Sequence, residues 1–135
     1  MSSSIEFLNP DELLKNPAFS QAVITKGNGS TIYIGGQNAI TKDQQITGKG
    51  DIAVQTAHAL KNVETALRAA GASVDELIKL TIYIVQGQDL RKGFEGAQSF
   101  LKKLNNPPVI SGVVVAGLAN PDYLVEIEAV AFKRD

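Results

Sequence analysis

Two carboxylates on one extended run are the side chains best suited to chemistry in this sequence. Glu126 and Glu128 stand in Leu124-Val125-Glu126-Ile127-Glu128-Ala129-Val130-Ala131-Phe132. Side chains alternate along a strand, so both glutamates share a face with Val130 and Phe132, while Val125, Ile127, Ala129 and Ala131 occupy the other. A carboxylate among apolar neighbours loses hydration, which raises its pKa and suits it to proton transfer near neutral pH. The same residues also fit a solvated or ion-paired strand face, and the sequence leaves both readings open. Other reactive groups are few. There is no cysteine, which excludes disulfides, a thiolate nucleophile and a thiolate metal site, and the single histidine, His58, reads as a solvated helix-flank residue. One histidine and scattered carboxylates give no metal-binding constellation and no partner for a serine nucleophile. Gly35-Gly36 reads as a bulge or close packing, or as backbone approached by a ligand; it lacks the spacing of a phosphate loop.

The elements that carry these residues follow from periodicity and turn chemistry. Residues 1 to 18 hold Asn9-Pro10 and Asn16-Pro17, two turn signals that leave room for at most one short helical turn. Phe19–Thr25 and Ser30–Gly36 are extended runs joined through Lys26-Gly27-Asn28-Gly29, which predicts an N-terminal hairpin. After a polar loop over Thr41–Gly50, Ala53, Ala57, Leu60, Val63 and Leu67 recur at spacings of three and four, the stripe of an amphipathic helix starting at Asp51 and ending before Gly71. Ser73-Val74-Asp75-Glu76 fits a capping box leading directly into a strand, where Ile78, Leu80, Ile82 and Ile84 alternate with Lys79, Thr81, Tyr83 and Val85. Gly87 ends that strand. Leu90, Phe94, Ala97, Leu101 and Leu104 mark a second helix, in which core packing alone accounts for Phe94. Pro107-Pro108 bars helix before Val109–Val115, and Asn120-Pro121-Asp122 turns the chain into the last strand.

The order strand, strand, helix, strand, helix, strand, strand in 135 residues describes one domain, residues 1–135, burying roughly two thirds of the surface its unfolded chain exposes. Two helices with one apolar stripe each cover one face of a sheet, so the class is α+β with helices on one side. Tyr83, Val85, Val130 and Phe132 remain on the other face, a patch of the kind that subunits cover. A formal net charge of −1 and scattered lysines exclude a field able to hold a phosphate backbone, so no nucleic-acid site is expected. No segment approaches a membrane span or a secretory leader, which makes a cytoplasmic protein without membrane contact the default expectation.

From Pro107-Pro108 to Leu124–Ala131 the chain resembles the C-terminal signature of the RidA (YjgF) family of enamine and imine deaminases. Further matches follow in order: Phe19–Val23, Tyr33–Gln37, Asp51, Gln55-Thr56, Asn62-Val63, Ala69–Ser73 and Lys79–Tyr83. The resemblance covers about residues 17 to 133 and implies a chorismate-mutase-like fold with a mixed sheet, no cofactor, a homotrimer, and small organic ligands held in clefts between subunits. In deaminating members it implies an arginine after the proline pair that grips the substrate carboxylate, a last-strand glutamate that handles water, and a tyrosine and an asparagine that shape the cleft. This chain departs from the pattern. Ile110 stands at the arginine position, Phe19 at the tyrosine, Phe94 at the asparagine and Gly35 where a serine is common, while Glu126 matches. The lost arginine removes two charge-assisted hydrogen bonds, each worth roughly 1.5–3 kcal/mol, so α-imino acids are expected to bind poorly. The ligand-binding set expected from this alignment is Phe19, Gly35, Gly36, Phe94, Ile110 and Gly117, with Glu126 as the catalytic candidate. The alternative is a hydrolytic deaminase in which Glu126 positions water and backbone amides near Gly35-Gly36 or Gly117 hold the carboxylate.

Overall fold

The computed structural model describes residues 2–135. Its order is β1 (Ser4–Leu8), β2 (Ala22–Lys26), β3 (Gly29–Gln37), α1 (Ile52–Ala69), a 3-10 turn (Val74–Glu76), β4 (Leu77–Val85), α2 (Leu90–Leu101), β5 (Val109–Val115) and β6 (Val125–Arg134). Four strands form one sheet in the order β3-β6-β4-β5, with β4 and β5 parallel and β6 antiparallel to both β3 and β4. β3 and β4 therefore run in the same direction, and each helix is a crossover between like-directed strands. Such connections need a dozen or more residues, which the helices supply. Both pack over the same face, giving the expected α+β class.

The N-terminal hairpin takes a different partner from the one expected. β2 pairs with β1, from Ser4 opposite Lys26 to Leu8 opposite Ala22, whereas β3 pairs with β6 from Gly29 opposite Arg134 onward. Gly27 accounts for the divergence: at φ +84° its backbone lies so close to Ser2 and Ser3 that a Cβ there would stand 2.3 Å from the Ser2 carbonyl oxygen. The chain is thereby held against the N-terminal strand, and β3 is released to bury Ile32 and Ile34 beside Ala131 and Ala129. A strand at Ser4–Leu8 replaces the single helical turn allowed to residues 1–18, and Phe19 lies ahead of β2 in a loop bridged to Asn16.

α1 begins where its sequence says it should. The Asp51 carboxylate accepts from Val54 N–H, and past the end Gly71 takes φ +76° while the N–H groups of Gly71 and Ala72 donate to the carbonyls of Arg68 and Leu67. Its buried stripe is Ile52, Gln55, Thr56, Ala59, Leu60, Val63 and Leu67, so at its N-terminal end the buried positions fall one residue away from the expected Ala53 and Ala57. Counting only apolar residues hid Gln55 and Thr56. Gln55 is buried because it is fully paired: its amide donates to the carbonyls of Gly48 and Asp122 and accepts from Leu124 N–H. It thereby ties α1 to the loops before β6 and before α1 itself. Asn62 donates to the Asn38 and Ile40 carbonyls, and Asn38 in turn donates to Val125.

α2 starts at Asp89, whose carboxylate accepts from the N–H groups of Arg91 and Lys92, and buries Gly93, Ala97 and Phe100. Leu90 and Phe94 are largely exposed, and Leu104 lies beyond the helix, so core packing does not explain Phe94. The two helices approach closely at Gly96, where a Cβ would meet the Ala53 carbonyl oxygen at 2.2 Å. On β6 the expected alternation holds: Val125, Ile127, Ala129 and Ala131 are buried under the helices. Phe132, expected on the uncovered face, is only 7% exposed because its ring packs against the backbone of Gly29.

The capping box over Ser73–Glu76 is present and does more than start a turn. Ser73 N–H donates to Glu76 Oε1, and Glu76 Oε2 accepts from Arg134 N–H at 2.8 Å and Arg134 Nε at 3.3 Å. Burial by itself raises the Glu76 pKa, but the Arg134 and Ser73 donors and the guanidinium charge outweigh it and leave the pKa below its ordinary value. The end of β6 is thus locked to the start of β4.

Candidate functional site

The sheet has two faces of opposite character, and a concavity on each. Under α2, β4 contributes Leu80, Ile82 and Ile84, and β5 contributes Ile110 and Gly112, which lie opposite Leu80 and Ile82 in the parallel register. Phe19 closes this space from the N-terminal loop and Phe94 from α2, around a cavity of about 340 Å³. Phe94 is 47% exposed and sits at the mouth. The loop carrying Phe19 is fastened beside β5 because Ser20 N–H donates to the Pro108 carbonyl and the Ser20 hydroxyl to the Pro107 carbonyl, 2.6 Å away. The proline pair thus does two things: it blocks helix, and it anchors the segment that walls the cavity.

No charged side chain lines this cavity, and its polar side chains are Asn16 and Thr56. Asn16 is exposed and accepts from Ala18 N–H. Thr56 is 4% exposed, and its hydroxyl has no hydrogen-bond partner. Gly93 faces it across the helix pair, so that a Cβ on Gly93 would lie 3.9 Å from Thr56 Oγ1.

The other face is polar. Tyr83 lies opposite Glu126, and Thr81 opposite Glu128, in the β4–β6 register, and the Tyr83 hydroxyl donates diagonally to Glu128 Oε1 at 2.8 Å. That hydrogen bond, followed by partial desolvation and the charges of Glu128 and Glu126, raises the Tyr83 pKa above its ordinary 10.0. A shallower concavity of about 310 Å³ lies between β3, β6 and β4, lined by Tyr33, Gly35, Lys79, Thr81, Glu128 and Val130 among others. Gly36, at the β3 bulge, leaves room for Glu126: a Cβ there would fall 2.5 Å from Glu126 Oε2.

The expected site residues therefore separate into groups. Phe19, Phe94 and Ile110 meet in the apolar cavity; Gly35, Gly36 and Glu126 lie on or beside the polar face; Gly117 sits in the exposed β5–β6 loop and lines neither. Within one subunit, Glu126 and Ile110 are on opposite sides of the sheet, because Glu126 pairs with Tyr83 whereas Ile110 pairs with Leu80. Two groups escaped the residue-by-residue reading. Thr56 was visible as half of the Gln55-Thr56 pair but carried no role, since a buried unpaired hydroxyl is a property of packing. The Tyr83–Glu128 bond was implicit in the alternation of both strands, which put them on one face, but the register that brings them together is tertiary.

A family model described as Endoribonuclease L-PSP matches residues 11–133. A RutC family protein of Pyrococcus horikoshii is 35% identical over 116 residues, covering 86% of this chain and 87% of its own. The 2-iminobutanoate/2-iminopropanoate deaminase of Homo sapiens is 31% identical over 115 residues, 85% of this chain and 80% of its own. Among solved structures, YyfB of Yersinia pestis, a conserved Rid family protein of unknown function, superposes with a TM-score of 0.85 at 30% identity, covering 94% of this chain and 97% of that one. E. coli TdcF, solved with bound serine, gives 0.69 at 28% identity over 90% and 98%. Sequence and fold agree over nearly the whole length: this chain belongs to the RidA (YjgF) family.

Proposed function

We propose that the protein is a homotrimer that binds a small, weakly acidic or uncharged ligand in clefts between subunits, and that it is not a standard 2-iminobutanoate/2-iminopropanoate deaminase. The observation that carries this reading is the setting of Ile110. It stands where the resemblance puts a carboxylate-binding arginine, and around it lie Phe19, Phe94, Leu80 and Ile82 with no cation lining the same cavity. A carboxylate entering there would be desolvated without a partner, at a cost of several kcal/mol. Arg68 pairs with Glu64 on the outside of α1, Arg134 with Glu76, and Lys79 belongs to the opposite face, so none of these stands in for the lost charge.

The trimer is supported by the edge strand. The Val115 carbonyl accepts from Gln86 N–H on the β4 side, so by alternation Ile110, Gly112 and Val114 turn their N–H and C=O groups to the free edge. Val113 and Val114 are exposed there, Val114 at 59%, and Tyr33 on the polar face at 80%. An open, β-branched edge is a pairing hazard unless a neighbour covers it. Subunit contact also offers a way for a cleft to combine Ile110 of one copy with Glu126 of another, which a single sheet keeps apart.

The second reading is a hydrolytic deaminase in which Glu126 positions water. It draws on Glu126 being half-buried beside the bare Gly36 backbone, where peptide groups could orient a bound molecule. One experiment addresses both. An amino-acid oxidase generates 2-iminopropanoate or 2-iminobutanoate in situ, and hydrolysis is compared for wild type, Ile110→Arg and Glu126→Gln. The expected outcome is wild type at the buffer rate with turnover appearing in Ile110→Arg; a fast wild type abolished by Glu126→Gln would establish the second reading instead.

A further inference from the structure

We infer that the cavity under α2 takes an uncharged, largely apolar molecule of about a dozen heavy atoms, an aryl or branched alkyl skeleton bearing one hydroxyl or carbonyl oxygen that pairs with Thr56. This rests on the proposed cleft reading and narrows its ligand class. Volume sets the size: a 150 Å³ apolar cavity accommodates benzene, so about 340 Å³ leaves room for roughly twice that skeleton. The lining sets the polarity. Phe19, Phe94, Leu80, Ile82 and Ile110 supply aromatic and aliphatic surface and no charge, so a carboxylate gains nothing there and loses its hydration.

The single polar anchor comes from packing. A threonine in a helix ordinarily returns its hydroxyl to a carbonyl one turn back, yet Thr56 Oγ1 is buried and has no partner. A buried hydroxyl without a partner is destabilising, so its presence beside an open volume points to a bond completed by what enters. Gly93 keeps that approach open: a Cβ there would make ordinary contacts with Ile52, Ile84 and Thr56 at 3.5–3.9 Å and fill space beside the hydroxyl without displacing anything. The helix therefore tolerates a side chain that it does without. A ligand with one oxygen at its narrow end satisfies Thr56 and buries its ring against Phe19 and Phe94.

The test uses a matched pair, 2-phenylethanol and phenylacetate, which share a skeleton and differ in carrying a hydroxyl or a carboxylate. Binding to the full-length protein is followed by ligand-observed NMR, with oligomeric state measured by light scattering. Saturable binding of 2-phenylethanol, with phenylacetate at least about ten-fold weaker, is expected. Thr56→Val, which keeps the shape and removes the hydroxyl, should weaken 2-phenylethanol by about three- to ten-fold and leave ethylbenzene unaffected. Gly93→Ala should weaken both while raising thermal stability, which separates loss of the site from loss of the fold. In Ile110→Arg the preference should reverse toward phenylacetate. Equal or tighter binding of phenylacetate by wild type, no binding of either probe, or a Thr56→Val protein that binds 2-phenylethanol as before would each overturn the inference. A monomer in light scattering that still binds 2-phenylethanol would refute the inter-subunit cleft and leave the ligand class standing.

Discussion

The two faces of the four-stranded sheet are built from alternate residues of the same strands, yet they have been given different tasks. Leu80, Ile82 and Ile84 on β4 look into the helices, while Lys79, Thr81 and Tyr83, one step away, carry a lysine, a hydroxyl and a phenol into the open. On β6, Val125 lines the apolar cavity and Glu126 turns its back to it. The side chains with hydrogen-bonding and acid–base capacity are segregated from those that shape a pocket. A chemistry needing both is therefore closed to an isolated subunit. If the contrast is sound, substitutions on the covered face should act on stability, and those on the open face on ionisation and binding.

The largest effects belong to the covered face. Ile127→Ala removes a fully buried side chain at the centre of the core and should cost about 2–5 kcal/mol. Gly96→Ala should cost at least about 1–3 kcal/mol, because the Ala53 backbone carbonyl lies where the new methyl must go. Gly93→Ala, less than one turn away, meets only ordinary contacts and should stabilise by up to about 1 kcal/mol through helix propensity. Denaturant unfolding of the three proteins checks the ordering. A Gly96→Ala protein as stable as Gly93→Ala would mean that the helices do not cross as closely as described.

The lock at the end of β6 gives an intermediate effect with a pH signature. Glu76→Gln should cost about 1–3 kcal/mol at neutral pH by removing the charge from three hydrogen bonds. Because the folded-state pKa lies below the ordinary 4.5, the ionised carboxylate's contribution is complete above that value and is lost as pH falls through the folded pKa. Wild type and Glu76→Gln should therefore converge in stability as the medium is acidified below about 4.5. Parallel curves across the acid limb would remove Arg134 and Ser73 as the cause of the shift.

These tests also mark what was legible in the residues. The stripe at Leu60, Val63 and Leu67, the cap at Asp51 and the alternation of β6 were readable because each is a local pattern with its own period. The route of β2 was not: the Asn28-Gly29 turn signal was outweighed by Gly27 against Ser2, a contact between segments far apart in the chain. Ile110, Phe19 and Phe94 were recognisable as replacements, and their placement around one cavity depended on the parallel β4–β5 register and the Ser20–Pro107 bond. Glu126 was identified from its motif, but the sheet that separates it from Ile110 is a product of topology.

On the open face, Gly36→Ala sharpens the contrast from the other side. The new Cβ would meet the flexible end of Glu126, which can swing away, so stability should change by less than about 1 kcal/mol. Any binding or turnover that depends on Glu126 should nevertheless fall, because the carboxylate must leave its place beside β3. A loss of stability comparable to that of Gly96→Ala would contradict the difference between a clash with backbone and a clash with a movable side chain.

The smallest effect is the most local. Tyr83 is held above its ordinary 10.0 first by the hydrogen bond it donates to Glu128, with desolvation and the nearby carboxylate charges adding to it. Among the three tyrosines, Tyr83 is expected to ionise late in a titration of phenolate absorbance. Glu128→Gln removes the charged acceptor, so that titration should move down toward 10.0, while Glu126→Gln should move it less because Glu126 acts only through its charge. The folded state should persist in both variants, since neither residue packs in the core. An unchanged titration in Glu128→Gln would mean that Tyr83 and Glu128 are independently solvated, and the open face would then be a collection of separate polar residues instead of an organised surface on which a ligand or a neighbouring subunit could depend.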